Sequence, residues 1–155
     1  KGSFTIEDLL KEVYETLSFK ASEKQISCII KKGCELPLSV YADKEKIRQV
    51  LINLIANAIK YGRANGIVEA SFYIIEEQTV LIEISDDGDG IAEEHLPRIF
   101  ERFYRADLGR SRNEGGSGLG LAICKHIIEA HGQSIHVRSK LNVGTTVGFG
   151  LPAKL

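Results

Sequence analysis

The stretch IVEASFYIIEEQTVLIEIS, residues 67–85, limits the fold more than any other part of the chain. Its two runs of β-branched and aromatic residues meet at Glu76 to Gln78 and read as an antiparallel hairpin. The partner layer is legible just upstream. From Lys44 to Tyr61 the apolar residues Ile47, Val50, Leu51, Leu54, Ile55 and Ala58 fall on one stripe of a helix. GRANG then closes that helix through a glycine C-cap and a turn. Ile6, Leu9, Leu10, Val13 and Leu17 predict an earlier amphipathic helix from Ile6 to about Lys24, with Thr5 as its N-cap. ISCII and LSVYA read as short strands, Glu93 to Arg98 as a short helix, and Gly118 to Ala130 as a third long helix. QSIHVRSKLNVGTTVGFGLP closes the chain as a last hairpin.

Adjacent strands are thus joined by hairpins rather than by helical crossovers. That predicts an α+β fold and argues against a Rossmann sheet. The expected architecture is a two-layer α/β sandwich: a mixed, mostly antiparallel sheet of about five strands with three main helices on one face. The 155 residues suit a single domain, with no internal repeat or dividing linker. Twenty Lys and Arg against 21 Asp and Glu leave no broad field to draw in nucleic acid or an anionic membrane. An anionic ligand therefore needs a local site. Cys28, Cys34 and Cys124 lack metal-binding spacing and read as free thiols in a reducing compartment. No apolar run approaches the roughly 20 residues of a membrane span, and residues 1–5 do not resemble a signal peptide. A cytoplasmic domain without direct membrane contact is expected, and the abrupt start looks like that of an excised domain.

Three stretches carry chemistry. GGSGLGLAI, residues 115–123, puts four glycines into six positions and runs into a helix. It fits neither the phosphate-loop signature, which needs a following Lys, nor the dinucleotide fingerprint G-x-G-x-x-G. On these residues alone both a flexible linker and a phosphate cradle of outward N–H groups at a helix start remain open. On the second helix, Asn53, Asn57, Lys60 and Tyr61 share a sector of roughly 100° beside the apolar stripe. They offer amide oxygen for a hard cation, an ammonium for phosphate and an aromatic face for a base. In ISDDGDGI, Asp86 ends an apolar strand and Gly88 and Gly90 turn the chain sharply. An ionised carboxylate only accepts hydrogen bonds, which suits the amino group of adenine and disfavours the carbonyl of guanine. Taken singly, helix Asn residues can be satisfied by nearby backbone, and Asp-Gly turns are common.

Together and in order, these stretches resemble the catalytic and ATP-binding domain of two-component sensor histidine kinases. QVLINLIANAIKY is similar to the N box of that family, ISDDGDGIAEEHLPRIF to its G1 box, IFERFYR to its F box, GGSGLGLAICKHIIEAHG to its G2 box and GTTVGFGLP to its closing strand. The boxes run from Ala42 to Pro152, while the first 40 residues match more loosely. The resemblance implies the Bergerat-type fold, with ATP held between the helical layer and a mobile lid at residues 106–117. It implies Mg²⁺ on Asn57, phosphate on Lys60, adenine beside Tyr61 with its amino group on Asp86, and Gly88 and Gly90 along the ring. Arg105 would reach the terminal phosphate, and Phe100 and Phe103 would anchor the lid. Gly116, Gly118, Leu119 and Gly120 would cradle phosphates, and Thr145 would help close the adenine pocket.

The same resemblance bears on mechanism. Related ATPases carry a Glu four residues before the metal-binding Asn, where it activates water. Here Asn53 stands there, and an amide is no general base, so hydrolysis is disfavoured. The family implies phosphoryl transfer to a His on a separate dimerisation domain, with Asn57, Lys60 and Arg105 at the reacting phosphate, and onward transfer to an Asp of a response regulator receiver domain. None of His95, His126, His131 and His136 stands in a phosphoacceptor box. His126 and His131 read as packing and capping residues. Residues 1–24 would form the helix that follows the absent hairpin, and a monomer is expected for the domain by itself. A bacterial parent protein anchored in the inner membrane is compatible with this reading. The competing identities are a serine kinase of the anti-sigma-factor type, which shares the N, G1 and G2 boxes, and a degenerate nucleotide-binding regulatory module.

Overall fold

A computed structural model describes residues 1–32, 38–76, 78–102 and 120–154. The elements in chain order are β1 (Gly2–Thr5), α1 (Ile6–Thr16), α2 (Ser18–Glu23), β2 (Ser27–Lys32), β3 (Ser39–Ala42), α3 (Lys44–Tyr61), β4 (Ile67–Glu76) and β5 (Thr79–Asp86). A short 3-10 helix (Glu93–Arg98), α4 (Gly120–Ala130), β6 (Ile135–Lys140) and β7 (Gly144–Pro152) complete them. Five strands form the main sheet in the order β2-β4-β5-β7-β6. Only β2 and β4 run parallel, because β3 and α3 lie between them in the chain. The other neighbours are antiparallel. The expected mixed sheet and helical layer are therefore present.

The period of two along the hairpin decides which face carries the core. Val68, Ala70 and Phe72 of β4 and Val80 and Ile82 of β5 are fully buried. Their odd-numbered neighbours face the other side, where Glu83 accepts from Arg138 Nη1 at 2.6 Å and from the Tyr73 hydroxyl at 3.2 Å. Against the buried face lies the α3 stripe of Ile47, Val50, Leu51, Leu54, Ile55 and Ala58, as its periodicity predicts, joined by Ile59. Leu9, Leu10 and Val13 of α1 and Cys124, Ile127 and Ile128 of α4 belong to the same core, as do Phe149 and Leu151 of β7.

Three features differ from the sequence reading. The segment from Ile6 to Lys24 is two helices rather than one. Leu17 leaves helical geometry at ψ 7°, and just there the hydroxyls of Thr16 and Ser18 donate to the carbonyls of Glu12 and Glu15 at 3.0 and 2.9 Å. Such back-bonding competes with the helix ladder and bends it. Second, residues 2–5 form a strand, paired antiparallel with β3 in a small sheet outside the main one. Thr5 occupies the N-cap position of α1, but its side chain makes no capping bond, in contrast to Asp43, which accepts from Lys46 N–H at 3.3 Å at the start of α3. Third, Gly62 ends α3 in extended geometry (φ −71°, ψ 163°) rather than as a left-handed cap, and the left-handed turn residue is Asn65 (φ 64°).

His131 joins the end of α4 to the start of α3. Its Nε2 accepts from Asp43 N–H at 3.2 Å, and its Nδ1 lies 2.8 Å from the Ile127 carbonyl. Both ring nitrogens are thus engaged by the main chain where the two helices meet, in line with the packing and capping reading of His131.

Candidate functional site

The edge of α3 and the β5 terminus converge at one end of the sandwich. Asn53, Asn57, Lys60 and Tyr61 are all half-buried on α3, as a place beside the apolar stripe requires. Lys60 Nζ lies 5.0 Å from the Tyr61 ring centroid, within cation–π range. Asn53 Nδ2 donates to the carbonyl of Gly120 at 3.5 Å, tying the middle of α3 to the first residue of α4.

Asp86 is delivered as the last residue of β5. Its Oδ1 accepts from Gly88 N–H at 2.9 Å, and Thr145 is its partner across β5 and β7. Burial nevertheless pushes the Asp86 carboxyl above the usual carboxylate range. The nearby backbone N–H groups of Gly88 and Thr145 oppose that rise, and the neighbouring Asp87 and Asp89 charges add to it.

The turn after Asp86 rests on α3 through Gly88. A Cβ there would collide with the Tyr61 carbonyl oxygen and come within 2.9 Å of Gly62 Cα. Gly90 has φ 74° and is pressed against the Lys140 carbonyl. The glycines of this segment thus let the turn touch the end of α3 on one side and the β6–β7 connection on the other.

Further residues hold this arrangement. Both Asp87 carboxylate oxygens accept from Ile67 N–H, at 3.1 and 3.2 Å, pinning the turn to the start of β4. Asn142 N–H donates to the Asp89 carbonyl at 2.7 Å, and Arg63 Nη2 donates to the Asn142 carbonyl at 2.7 Å. Ser139 Oγ accepts from Ile91 N–H at 2.7 Å and donates to the Gly144 carbonyl at 2.9 Å. With its proton so used, the 2.8 Å contact between Ser139 and Thr145 is a bond donated by Thr145. Sequence reading missed Asp87, Ser139 and Arg63, because their partners lie far along the chain. The doubled Asp at 86 and 87 was the one local signal.

Lys60, Tyr61, Asp86, Gly88 and Gly90 are thereby brought to one end of the sandwich, with Thr145 beside Asp86, while Asn57 and Asn53 lie further back along α3, Asn53 against Gly120 at the start of α4. Arg105, Gly116, Gly118, Leu119, Phe103 and residues 106–117 lie outside the described residues. Phe100 is half-buried against the core. Among the described residues no cluster of three His, Cys, Asp or Glu could hold a metal ion, and no helix is long and apolar enough to cross a membrane.

Residues 42–155 match the family model described as histidine kinase-, DNA gyrase B- and HSP90-like ATPase. The chain belongs to this ATPase family. Its matched region begins just before α3 and covers every candidate site residue. Among curated relatives, sensor histidine kinase WalK of Bacillus subtilis (strain 168) is 42% identical over 137 residues, 88% of this chain and 22% of that protein. Full-length ShkA, solved in complex with AMPPNP, superposes with TM-score 0.86 at 33% identity, covering 98% of this chain and 31% of that one. Histidine kinase ThkA, solved in complex with response regulator protein TrrA, gives TM-score 0.80 at 30% identity, covering 98% and 41%. Within the ATPase family the chain is thus of the histidine kinase type found in two-component sensors, with the Bergerat fold. It spans only about a fifth of WalK's own length.

Proposed function

We propose that this ATPase domain binds MgATP between α3, the Asp86–Gly90 turn and the start of α4, and presents the γ-phosphate to a histidine on a separate dimerisation domain. From there the phosphoryl group passes to an aspartate of a response regulator. The observation that carries this reading is the seating of the Asp86 turn on the end of α3. It puts a carboxylate acceptor beside a helix edge bearing an ammonium, an amide and an aromatic ring.

In this reading Asp86 accepts from the adenine amino group while Thr145 borders the ring, and Tyr61 lies beside it. Lys60 neutralises phosphate charge, and the first N–H groups of α4, which have no acceptor within the helix ladder, would face an anion at the positive end of the helix dipole. Gly120 belongs to this cradle, together with Gly116, Gly118 and Leu119, and Arg105 is assigned to the terminal phosphate. Asn57 would hold Mg²⁺ through its amide oxygen, a ligand type that suits this hard cation. When bound, Mg²⁺ supplies charge neutralisation at the phosphates. Catalysis would be positioning and electrostatics rather than base chemistry. Asn53 fits this division: its amide is engaged with the Gly120 carbonyl and cannot activate water.

Calorimetric titration of the chain with AMPPNP, with and without Mg²⁺, tests the binding half. Tight binding that Mg²⁺ strengthens is expected, and no binding overturns the reading. Mixing the chain with ATP and a histidine-bearing dimerisation domain tests the transfer half. Acid-labile phosphohistidine is expected, whereas acid-stable phosphoserine overturns it.

The raised Asp86 carboxyl adds a pH dependence. Folding favours the protonated acid, so this group's own contribution to stability is greatest below its unfolded pKa and is lost as pH rises through the folded value. Adenine binding runs the opposite way, because only the carboxylate lacks a competing proton. AMPPNP affinity should therefore fall as pH drops through that raised value, starting at a higher pH than an exposed aspartate would give. Asp86→Asn should flatten the profile; an unchanged profile in the variant removes Asp86 as the titrating acceptor.

A further inference from the structure

The last turn of α3 lacks its ordinary closure. The final carbonyls of a helix have no intrahelical donor and carry the negative end of the dipole. A left-handed residue at the cap commonly satisfies them, yet Gly62 is extended. The donor comes from elsewhere. Lys24, the residue that ends α2, extends its ammonium into this turn and donates to the carbonyls of Ile59, Lys60 and Gly62 at 3.0, 2.7 and 2.9 Å. An ammonium has three N–H donors, so all three are used. Lys24 is also tied by its main chain, its carbonyl accepting from Asn65 N–H at 2.8 Å in the loop that follows α3.

These carbonyls belong to the turn that carries Lys60 and Tyr61. The next face of the same turn is where Gly88 rests, with the Tyr61 carbonyl and Gly62 Cα beneath it. Lys24 therefore fixes the helix end on which the Asp86 turn is seated. We propose that Lys24 is a positioning residue for the nucleotide site, setting the end of α3 so that Lys60, Tyr61 and the Asp86 turn hold one geometry. This role rests on the nucleotide-binding reading above. A neutral side chain of similar length would leave three carbonyls at a helix C-terminus without their donor.

The test compares wild type, Lys24→Met and Lys24→Arg by AMPPNP titration, thermal melting and amide NMR, at a temperature where each chain is fully folded. Lys24→Met should bind about tenfold more weakly, because nucleotide binding must then re-order an α3 end that Lys24 otherwise holds in place. Lys24→Arg should fall between the two, since it keeps the charge but its planar fork cannot converge on three carbonyls. The amide resonances of Gly62 and Gly88 should shift in Lys24→Met without any ligand present. Wild-type affinity in a folded Lys24→Met, or an unmoved Gly88 amide, overturns the role of Lys24 alone. Failure of the wild type to bind AMPPNP overturns the site reading, and this role with it. Should Lys24→Met not fold, Lys24→Arg decides: weaker binding at wild-type melting temperature supports the proposal, and equal binding overturns it.

Discussion

Replacing Asp86 by Asn should weaken AMPPNP binding by roughly 10- to 100-fold and leave the chain folded. A hydrogen bond to a charged group is worth about 1.5–3 kcal/mol, and each 1.4 kcal/mol is a factor of ten in affinity. The amide oxygen of Asn can still accept from Gly88 N–H, which Asp86 now does at 2.9 Å. The turn therefore keeps one of its internal bonds. What changes is the second acceptor: an amide presents an NH₂ where the adenine amino group needs a lone pair, and two donors then face each other. The variant also removes a partly desolvated charge, so little stability is lost. Titration with adenine and guanine analogues, alongside a urea melt, checks the prediction. Adenine affinity and selectivity equal to wild type would end the assignment of Asp86 as the purine acceptor.

Gly88→Ala should damage both fold and site. The added carbon meets backbone atoms, the Tyr61 carbonyl and Gly62 Cα, and backbone cannot swing aside as a side chain can. Overpacking of this kind costs about 1–3 kcal/mol and sometimes more. Relief requires lifting the Asp86 turn from α3, which separates the carboxylate from Lys60 and Tyr61. Gly90→Ala meets the Lys140 carbonyl and must also hold φ near 74°, a left-handed conformation that costs a residue with Cβ about 1–2 kcal/mol. Urea unfolding should show both losses, while Gly2→Ala, with nothing within 4 Å of the new carbon, should show none. AMPPNP binding should be lost more completely in Gly88→Ala than its stability loss explains. Full affinity in a folded Gly88→Ala would mean that the turn and the helix do not act as one site.

Where a pattern repeats within an element, the sequence was enough. The bounds of α3 from Lys44 to Tyr61 and the turn of the β4–β5 hairpin both follow from periodicity and turn chemistry. Asn53, Asn57, Lys60 and Tyr61 were legible as a group because a helix of known pitch puts them on one side. Asp86 was legible because a strand ends there. The break at Leu17 was not, since it comes from hydroxyls bonding back to the helix against a favourable apolar repeat. Nor was β1: its four residues GSFT carry no strand pattern and owe their form to pairing with β3.

The sequence by itself determined the fold class, the family, and which residue types stand in each box, because these depend on local periodicity and on motifs in linear order. Only the tertiary structure decided how the boxes become one site. Lys24 reaches carbonyls 35 to 38 positions away, Asp87 holds an N–H 20 positions back, and Arg63 bonds a turn 79 positions on. Such contacts depend on where whole elements pack, which is set by burial of the shared core, and no spacing along the chain encodes them.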